Sequence, residues 1–255
     1  MKAWIAMQSL LFSLLIAVSL CSGVSKAQQN EDALKSDIIP KPANLQSSLR
    51  TFEATFVAFR SGNDIGEASL KLSSNKTGEY DLLYQSKVSR FFLSDKRVER
   101  TAFTVKNGSL VPSNYSYERT GTGPNKSLEL KFNAAAQKVL INDKESLSWE
   151  GELENQLFRL DFPFQLSQGV KNFAYDFFNY RGQKKHYELE VVETENLSLP
   201  YGQIMAIKVM IKRDSSNRLT YAWFAPALNY NLVRLQQFKD DKEQGDIQLS
   251  EFSYL

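Results

Sequence analysis

The sequence RLTYAWFAPALNYNLVRLQQF, residues 218–238, decides the fold class. Two strand-like runs flank Pro226, which has no N–H to donate to a strand ladder. The first strand therefore has to end or bend there, and the second is expected to run back antiparallel. This arrangement predicts a corner, with Trp223 packing at the mouth or wall of a sheet. It also places Arg218 and Arg234 on neighbouring strands near the same rim.

The rest of the chain repeats this pattern from Thr51 onward. Alternating runs such as TFEATFVAFR, residues 51–60, are separated by turn signals every ~8–12 residues, which is typical of all-β proteins. We expect a mainly β fold: a single, strongly curved antiparallel sheet of about ten strands that forms an open or closed barrel. A two-sheet β-sandwich is the alternative.

One segment has the period of a helix instead. Trp149, Leu153, Leu157 and Leu160 are spaced at i, i+4, i+8 and i+11, which puts them on one helical face. The pattern predicts one helix that begins near Trp149 and that Pro163 ends.

The first residues resemble a secretory signal peptide. A lysine and an apolar run precede Ser25-Lys26-Ala27, so residues 1–27 are expected to be removed by cleavage after Ala27. This predicts a periplasmic protein. The alternative is a lipid anchor on Cys21, although Leu20 occupies a position where lipoprotein processing favours a small residue.

The mature chain is expected to have a simple organisation. Residues 28–47 are polar, contain two prolines and predict a flexible lead-in. Residues 48–255 predict a single β-rich domain. No span of an integral membrane protein is expected once the signal is removed.

Composition excludes several classes of function. Without Lys2 and Lys26, the 31 basic residues of the chain become 29, against 29 acidic residues. A net charge near zero argues against a nucleic-acid partner held by bulk electrostatics. The single cysteine, Cys21, is lost with the signal, so disulfides and thiol chemistry are excluded from the mature chain.

Recognisable catalytic patterns are also missing. His186 is the one histidine, and it alternates with charged residues on the face expected to meet water. No ligand spacing for a metal, phosphate-binding loop or nucleophile elbow occurs. We therefore expect a protein that is not an enzyme, with no catalytic residue, metal or cofactor. A hydrolase that uses carboxylates, such as Asp161 with Asp176, is a less favoured alternative.

Aromatic residues on the predicted strands suggest a cavity. Tyrosines that share a strand face can line an apolar space and orient an amphiphile with their hydroxyl groups. The function predicted is a non-catalytic binding or carrier module for an apolar or amphiphilic ligand, such as a lipid. The alternative is a structural or protein-interaction component of the cell envelope. The candidate ligand-binding residues are Tyr80, Tyr84, Tyr115, Tyr117, Arg218, Trp223 and Arg234.

The motifs of the C-terminal half also resemble a known family. Pro200-Tyr201-Gly202, Ile207-Lys208-Val209, Arg218-Leu219-Thr220, Trp223-Phe224-Ala225-Pro226 and Val233-Arg234 follow one another in this order. The series resembles the bacterial family DUF3108, over roughly Leu49 to Leu255. The chain departs from it at Asn231-Leu232, where the family tends to have a proline. The resemblance implies a β protein of Gram-negative envelopes, periplasmic or associated with the outer membrane, and implies no established activity.

Overall fold

The computed structural model describes residues 44–90, 92–213 and 217–255. Within these residues, fifteen strands form one sheet, and two α-helices and one 3-10 helix accompany it. The N-terminal elements are α1 (Leu45–Ser48), β1 (Phe52–Arg60), β2 (Asn63–Ser74), β3 (Tyr80–Arg90), β4 (Leu93–Lys106), β5 (Ser109–Gly121), β6 (Lys126–Asn133), β7 (Lys138–Ile141) and β8 (Glu145–Ser148). The C-terminal elements are β9 (Leu153–Glu154), α2 (Phe158–Ser167), β10 (Asn172–Phe178), β11 (Lys184–Leu199), β12 (Gly202–Arg213), β13 (Arg218–Ala225), η1 (Pro226–Leu228), β14 (Asn231–Lys239) and β15 (Lys242–Tyr254).

Two antiparallel meanders make up the sheet. Its strand order is β8-β7-β6-β5-β4-β3-β2-β1-β15-β14-β13-β12-β11-β10-β9, so the first and last strands, β1 and β15, pair in the middle of the sheet. The mainly β, predominantly antiparallel prediction is confirmed, with the exception that β9 runs parallel to β10. The predicted count of about ten strands is wrong. The shortest strands, with two to four residues each, are too brief to give an alternating pattern.

The sheet curls until its two edges come close together. β8 and β9 lie at opposite edges, yet only four residues join them, and such a connection spans at most about 18 Å. In the described chain these edges share no backbone pairing, so the sheet stays open. Side chains meet instead: the rings of Phe132 and Phe178 lie 6.1 Å apart, and those of Tyr117 and Tyr180 lie 5.2 Å apart. The fold is therefore one curved sheet and not a sandwich of two sheets.

The main helix begins later than the sequence pattern predicts. α2 spans Phe158–Ser167 and contains Pro163, so the prediction that this proline ends the helix is wrong. Trp149 is not helical. Its indole Nε1 donates a 2.7 Å hydrogen bond to the carbonyl of Glu152, while its ring packs against Phe132. Tertiary packing of the tryptophan thus outweighs the local helical spacing.

A second α-helix lies in the segment predicted to be a flexible lead-in. α1 is a single turn whose start is capped by the Asn44 side chain, which accepts a 2.8 Å hydrogen bond from the backbone of Ser47. Leu45 is fully buried, and Gln46 Nε2 donates a 2.6 Å bond to the hydroxyl of Tyr80. Ordered packing therefore begins before the predicted boundary at residue 48. The predicted signal peptide, its cleavage at Ala27 and the alternative anchor at Cys21 lie outside the described residues.

The corner predicted at Pro226 is confirmed. β13 ends at Ala225, η1 begins at Pro226, and Asn229 adopts a left-handed φ of 53° that turns the chain. Asn229 Nδ2 then donates a 2.8 Å bond to the carbonyl of Ser48, which ties the corner to α1. On the return strand, Val233 is an extra residue opposite the junction of β13 residues 223 and 224. This bulge bends β14 at the corner.

Alternating side chains supply the core. Along β1, Phe52, Ala54, Phe56 and Ala58 are buried and the residues between them are half-buried. α2 lies inside the curve of the sheet, and its Phe162 packs against Phe224 with 4.9 Å between ring centres. In the part of the chain that the model describes, neither helix has the length and apolar character needed to cross a bilayer.

Candidate functional site

The interior of the sheet is not completely filled. A cavity of about 280 Å³ lies between α2 and the strands β2–β5 and β11–β15. Much of its wall is apolar, because the side chains that these strands point inward are mostly aliphatic and aromatic. The apolar lining consists of Leu70, Phe158, Leu160, Phe162, Leu189, Ile211, Ala222, Phe224, Leu232, Leu235 and Ile247.

Polar and charged groups also line the wall. The tyrosines there are Tyr84, Tyr117, Tyr180 and Tyr187, and the charged side chains are Arg97, Glu99, Arg159, Arg213 and Arg218. Five lining residues also line a polar depression on the surface: Asn155, Tyr180, Tyr187, Arg213 and Arg218. We call this shared set the mouth of the cavity.

Arg213, the last residue of β12, is the most confined arginine at the mouth. Its guanidinium carbon lies 5.1 Å from the centre of the Tyr187 ring, and Nη2 donates a 3.4 Å hydrogen bond to Thr220 Oγ1. Its Nε is buried and has no hydrogen-bond partner among the described residues. Burial lowers the pKa of Arg213, and the charges of Arg218 and Arg159 add to this effect. The charges of both neighbouring arginines therefore disfavour the charged form of Arg213.

The other two interior arginines differ in their partners. Arg97 Nε donates a 2.7 Å bond to Asp95, a carboxylate that Arg97 shares with Arg119. Arg159, on the first turn of α2, lies 5.9 Å from the ring centres of both Tyr84 and Phe158. No carboxylate of the described residues pairs with Arg159.

A buried carboxylate, Glu99, borders the cavity. Tyr115 donates a 2.6 Å hydrogen bond to Glu99 Oε2, and Asn155 Nδ2 donates another of the same length. Burial and the neighbouring Glu99 raise the pKa of Tyr115 far above its ordinary value. Glu99 thus anchors β5 and the chain before α2 to β4.

A second buried carboxylate, Glu154, lies just behind this wall. It accepts hydrogen bonds from Thr101 Oγ1 at 2.9 Å and from the backbone N–H groups of Gln156 and Leu157 at 2.8 and 2.9 Å. Complete burial raises its pKa to about 7 against the effect of these donors, and the charge of Glu99 adds to the rise.

The carboxylate pair considered from the sequence does not assemble. Asp161, on α2, accepts a 2.6 Å bond from the Tyr175 hydroxyl, and burial raises the pKa of Asp161. Asp176 follows Tyr175 on β10 and points to the other side of the strand, where its Oδ1 lies 2.8 Å from Nδ1 of the half-exposed His186. In the described ranges, no group of three or more His, Cys, Asp or Glu residues is arranged to hold a metal ion.

Three of the seven predicted ligand-binding residues line the cavity: Tyr84, Tyr117 and Arg218. Tyr115 is buried behind the wall with Glu99, and Tyr80 stacks on Phe103 with 5.2 Å between ring centres. The structure thus brings together part of the predicted set at one cavity and assigns the other tyrosines to packing.

Trp223 and Arg234 form a separate cluster on the opposite face of β13. The Trp223 indole Nε1 donates a 2.7 Å bond to Glu195, which lowers the pKa of that carboxyl. Arg234 stacks on the Trp223 ring at 4.7 Å and forms two hydrogen bonds, of 2.9 and 2.7 Å, with Asp246. Arg218 lies opposite Lys239 in the register and Arg234 lies opposite Trp223, so the expectation that both arginines share one rim is wrong.

Three of the four arginines that line the cavity in the described chain, Arg97, Arg159 and Arg213, are not among the residues predicted from the sequence. On β12, Arg213 lies on the same inward face as Ile207, Val209 and Ile211. A charged residue at the end of this apolar series was the feature of the sequence that could have identified it. Arg159 carries no such signal, because its position depends on where α2 begins.

Comparison with solved structures supports the fold. A β-barrel-like protein of the domain of unknown function DUF1849 from Brucella abortus is 8% identical, with a TM-score of 0.56, and the match covers 81% of this chain and 98% of that one. Two weaker likenesses carry no argument about the fold. A candidate exported protein with a YmcC-like fold from Bacteroides fragilis is 12% identical, with a TM-score of 0.32 and coverage of 80% and 96%. The immune modulator A of Aeromonas veronii is 5% identical, with a TM-score of 0.23 and coverage of 76% and 73%.

Sequence comparison identifies the family. No curated protein matches the chain. A family model described as "Protein of unknown function (DUF3108)" matches residues 51–247, which include most of the domain. The chain therefore belongs to the DUF3108 family.

Proposed function

We propose that this protein is a periplasmic, non-catalytic binding or carrier module for a small amphiphilic molecule. The observation that carries the proposal is the interior cavity of about 280 Å³. Natural ligand sites are commonly concave, mostly apolar and equipped with a few polar groups that fix orientation, with volumes from about 300 Å³ upward. The cavity is slightly smaller than this range, which favours a short-chain ligand.

The distribution of lining residues supports an amphiphile over a purely apolar molecule. Leu189, Ile211 and Phe224 present an apolar surface, which favours an aliphatic chain because each buried methylene contributes about 0.8 kcal/mol. The mouth offers tyrosine and arginine side chains for a polar head group. A ligand would therefore bind with its chain inside and its head group near the surface depression.

The composition of the lining also supports a non-catalytic role. Glu99 is the one carboxylate among the described lining residues, and those residues include no serine, cysteine or histidine. Glu99 Oε2 is already engaged by Tyr115 and Asn155. A general acid-base pair or an activated nucleophile would need a second group within hydrogen-bond reach. The alternative role, a structural component of the envelope, is favoured by a filled interior and so receives less support from the cavity.

Filling the cavity tests the proposal. In Leu235→Trp, a larger side chain at the apolar wall is expected to weaken binding of decyl maltoside at least about tenfold, because the burial of its chain is lost. The measurement is isothermal titration below the critical micelle concentration. Val192→Trp is the matched control, since Val192 is 46% exposed on β11 and does not line the cavity.

Two results of these titrations would contradict the proposal. If decyl maltoside and other short-chain amphiphiles do not bind, or if Leu235→Trp binds them as tightly as the parent, the cavity is not a ligand site. Native mass spectrometry of protein purified from its own periplasm adds an independent readout. A bound lipid or other amphiphile supports the proposal, and bare protein under gentle conditions argues against it.

A further inference from the structure

We infer that the cavity binds an oxyanion, the carboxylate or phosphate head group of an amphiphile, through Arg213 and Arg218 at its mouth and Arg159 on its wall. This inference rests on the proposed function and specifies the chemical class of its ligand. Arginine suits the role because its planar guanidinium donates paired hydrogen bonds to carboxylate and phosphate oxygens.

Charge balance in the cavity is the first argument. In the described chain, four arginines and one glutamate line it, and Arg97 shares the carboxylate of Asp95 with Arg119. The other three arginines have no carboxylate within ion-pair distance in the described chain. Arg159 and Arg213 are both half-buried, and clustered cations that are partly removed from water repel one another unless an anion compensates them.

The buried Nε of Arg213 is the second argument. A buried N–H without an acceptor destabilises the fold, so native proteins rarely leave one unpaired. An oxyanion at the mouth would supply the acceptor once the Arg213 side chain turns toward it, because Nε is closed to solvent in this conformation. Thr220 already engages Nη2 of the same guanidinium, which fixes the plane in which the remaining N–H groups point.

Position within the cavity is the third argument. Arg213 and Arg218 belong to both the interior cavity and the surface depression, so they lie where the apolar wall gives way to water. Arg218 is exposed and can meet a ligand as it enters. An anionic head group held there leaves its alkyl chain beside Ile211, Ala222 and Phe224.

Ligands that differ only in the head group test the inference. Isothermal titration compares decyl phosphate and decanoate with neutral decyl maltoside and cationic decyltrimethylammonium. We expect both anions to bind at least about tenfold more tightly than decyl maltoside, and the cation to bind most weakly. Inorganic phosphate is titrated separately to detect a site for a free anion.

Single arginine variants identify the site. Arg213→Gln and Arg218→Gln are each expected to weaken decyl phosphate binding about tenfold to a hundredfold, the loss typical of a hydrogen bond to a charged group. Binding of decyl maltoside should change less than about twofold. Arg218 is exposed, so its variant keeps the test valid even if Arg213→Gln unfolds. Arg100→Gln is the matched control, because Arg100 pairs with Asp81 outside the cavity.

The outcomes separate this inference from the proposed function. If decyl maltoside binds as tightly as decyl phosphate, or if the arginine variants bind decyl phosphate unchanged, the inference is overturned while the binding function stands. If decyltrimethylammonium binds best, Glu99 of the cavity wall determines the choice of head group and the inference also fails. If inorganic phosphate binds as tightly as decyl phosphate, the arginines serve a free anion, which supports the oxyanion site and contradicts the amphiphile.

Discussion

Thr101 Oγ1 donates a 2.9 Å hydrogen bond to Glu154 Oε1, and this contact joins β4 to the chain that leads into α2. Both side chains are fully buried. Burial raises the pKa of Glu154 to about 7 from an ordinary value of 4.5. The stabilising contribution of the neutral carboxyl is therefore fully present below pH 4.5 and is lost as the pH rises through about 7.

The substitution Glu154→Gln should remove this pH dependence. Relative to the variant, the parent is expected to lose up to about 3 kcal/mol of unfolding free energy between pH 4.5 and 7, at about 1.4 kcal/mol per pKa unit. Urea denaturation at several pH values measures the difference, and Glu118→Gln on the exposed surface is the control. A difference between parent and Glu154→Gln that does not vary with pH would contradict the assignment.

The hydrogen bond from Tyr115 to Glu99 should contribute to stability without contributing to binding. Tyr115→Phe leaves Glu99 Oε2 with Asn155 as its one remaining donor in the described structure, at an expected cost of about 1–3 kcal/mol in unfolding free energy. Tyr201→Phe, at a residue that is 39% exposed, should change stability by less than about 0.5 kcal/mol. Equal losses in the two variants would show that the bond to Glu99 is not what stabilises the fold here.

The ion pair between Arg234 and Asp246 tests whether the Trp223 cluster is structural. Asp246 is 4% exposed and accepts two hydrogen bonds from Arg234, so Asp246→Asn is expected to cost about 2 kcal/mol in unfolding free energy. Decyl phosphate should bind the variant as it binds the parent, because Trp223 and Arg234 lie off the cavity. Weakened binding by a variant that stays folded would restore these two residues to the ligand site.

The alternation of strand residues made the fold class readable from the sequence. β1 buries every second side chain from Phe52 to Ala58, and this periodicity is visible without coordinates. The corner at Pro226 is also local, since proline and a left-handed Asn229 act within a few residues. The number of strands was harder to predict from the sequence, because β9 has only two residues and forms by pairing with the distant β10.

The residues of the candidate site could be predicted less well, because strand register and sheet curvature are only weakly indicated by a single sequence. Arg213 faces inward because of the register of β12, whereas Arg234 faces Asp246 on the other side of β13 and β14. Both arginines lie on strands whose side chains alternate between the two faces of the sheet. Only the curvature of the sheet decides which of these faces surrounds the cavity. The start of α2 was misplaced for a similar reason, since the environment of Trp149 is built from distant strands.

Gly66 gives a test of the sheet itself. It lies on β2 between Ala58 of β1 and Val88 of β3, with a φ of +142°. A Cβ at this position would lie 2.1 Å from the carbonyl oxygen of Lys87, which is backbone and cannot move aside without breaking the ladder. Gly66→Ala is therefore expected to lower the unfolding free energy by about 3 kcal/mol or more.

Gly62 supplies the comparison for this variant. Its φ of +76° also disfavours a side chain, but a Cβ there meets no atom within 4 Å. Gly62→Ala should cost about 1–2 kcal/mol, the strain of a left-handed residue alone. Guanidinium denaturation of both variants separates the steric clash from the backbone strain, and losses of equal size would show that β2 and β3 can shift to accommodate a side chain at Gly66.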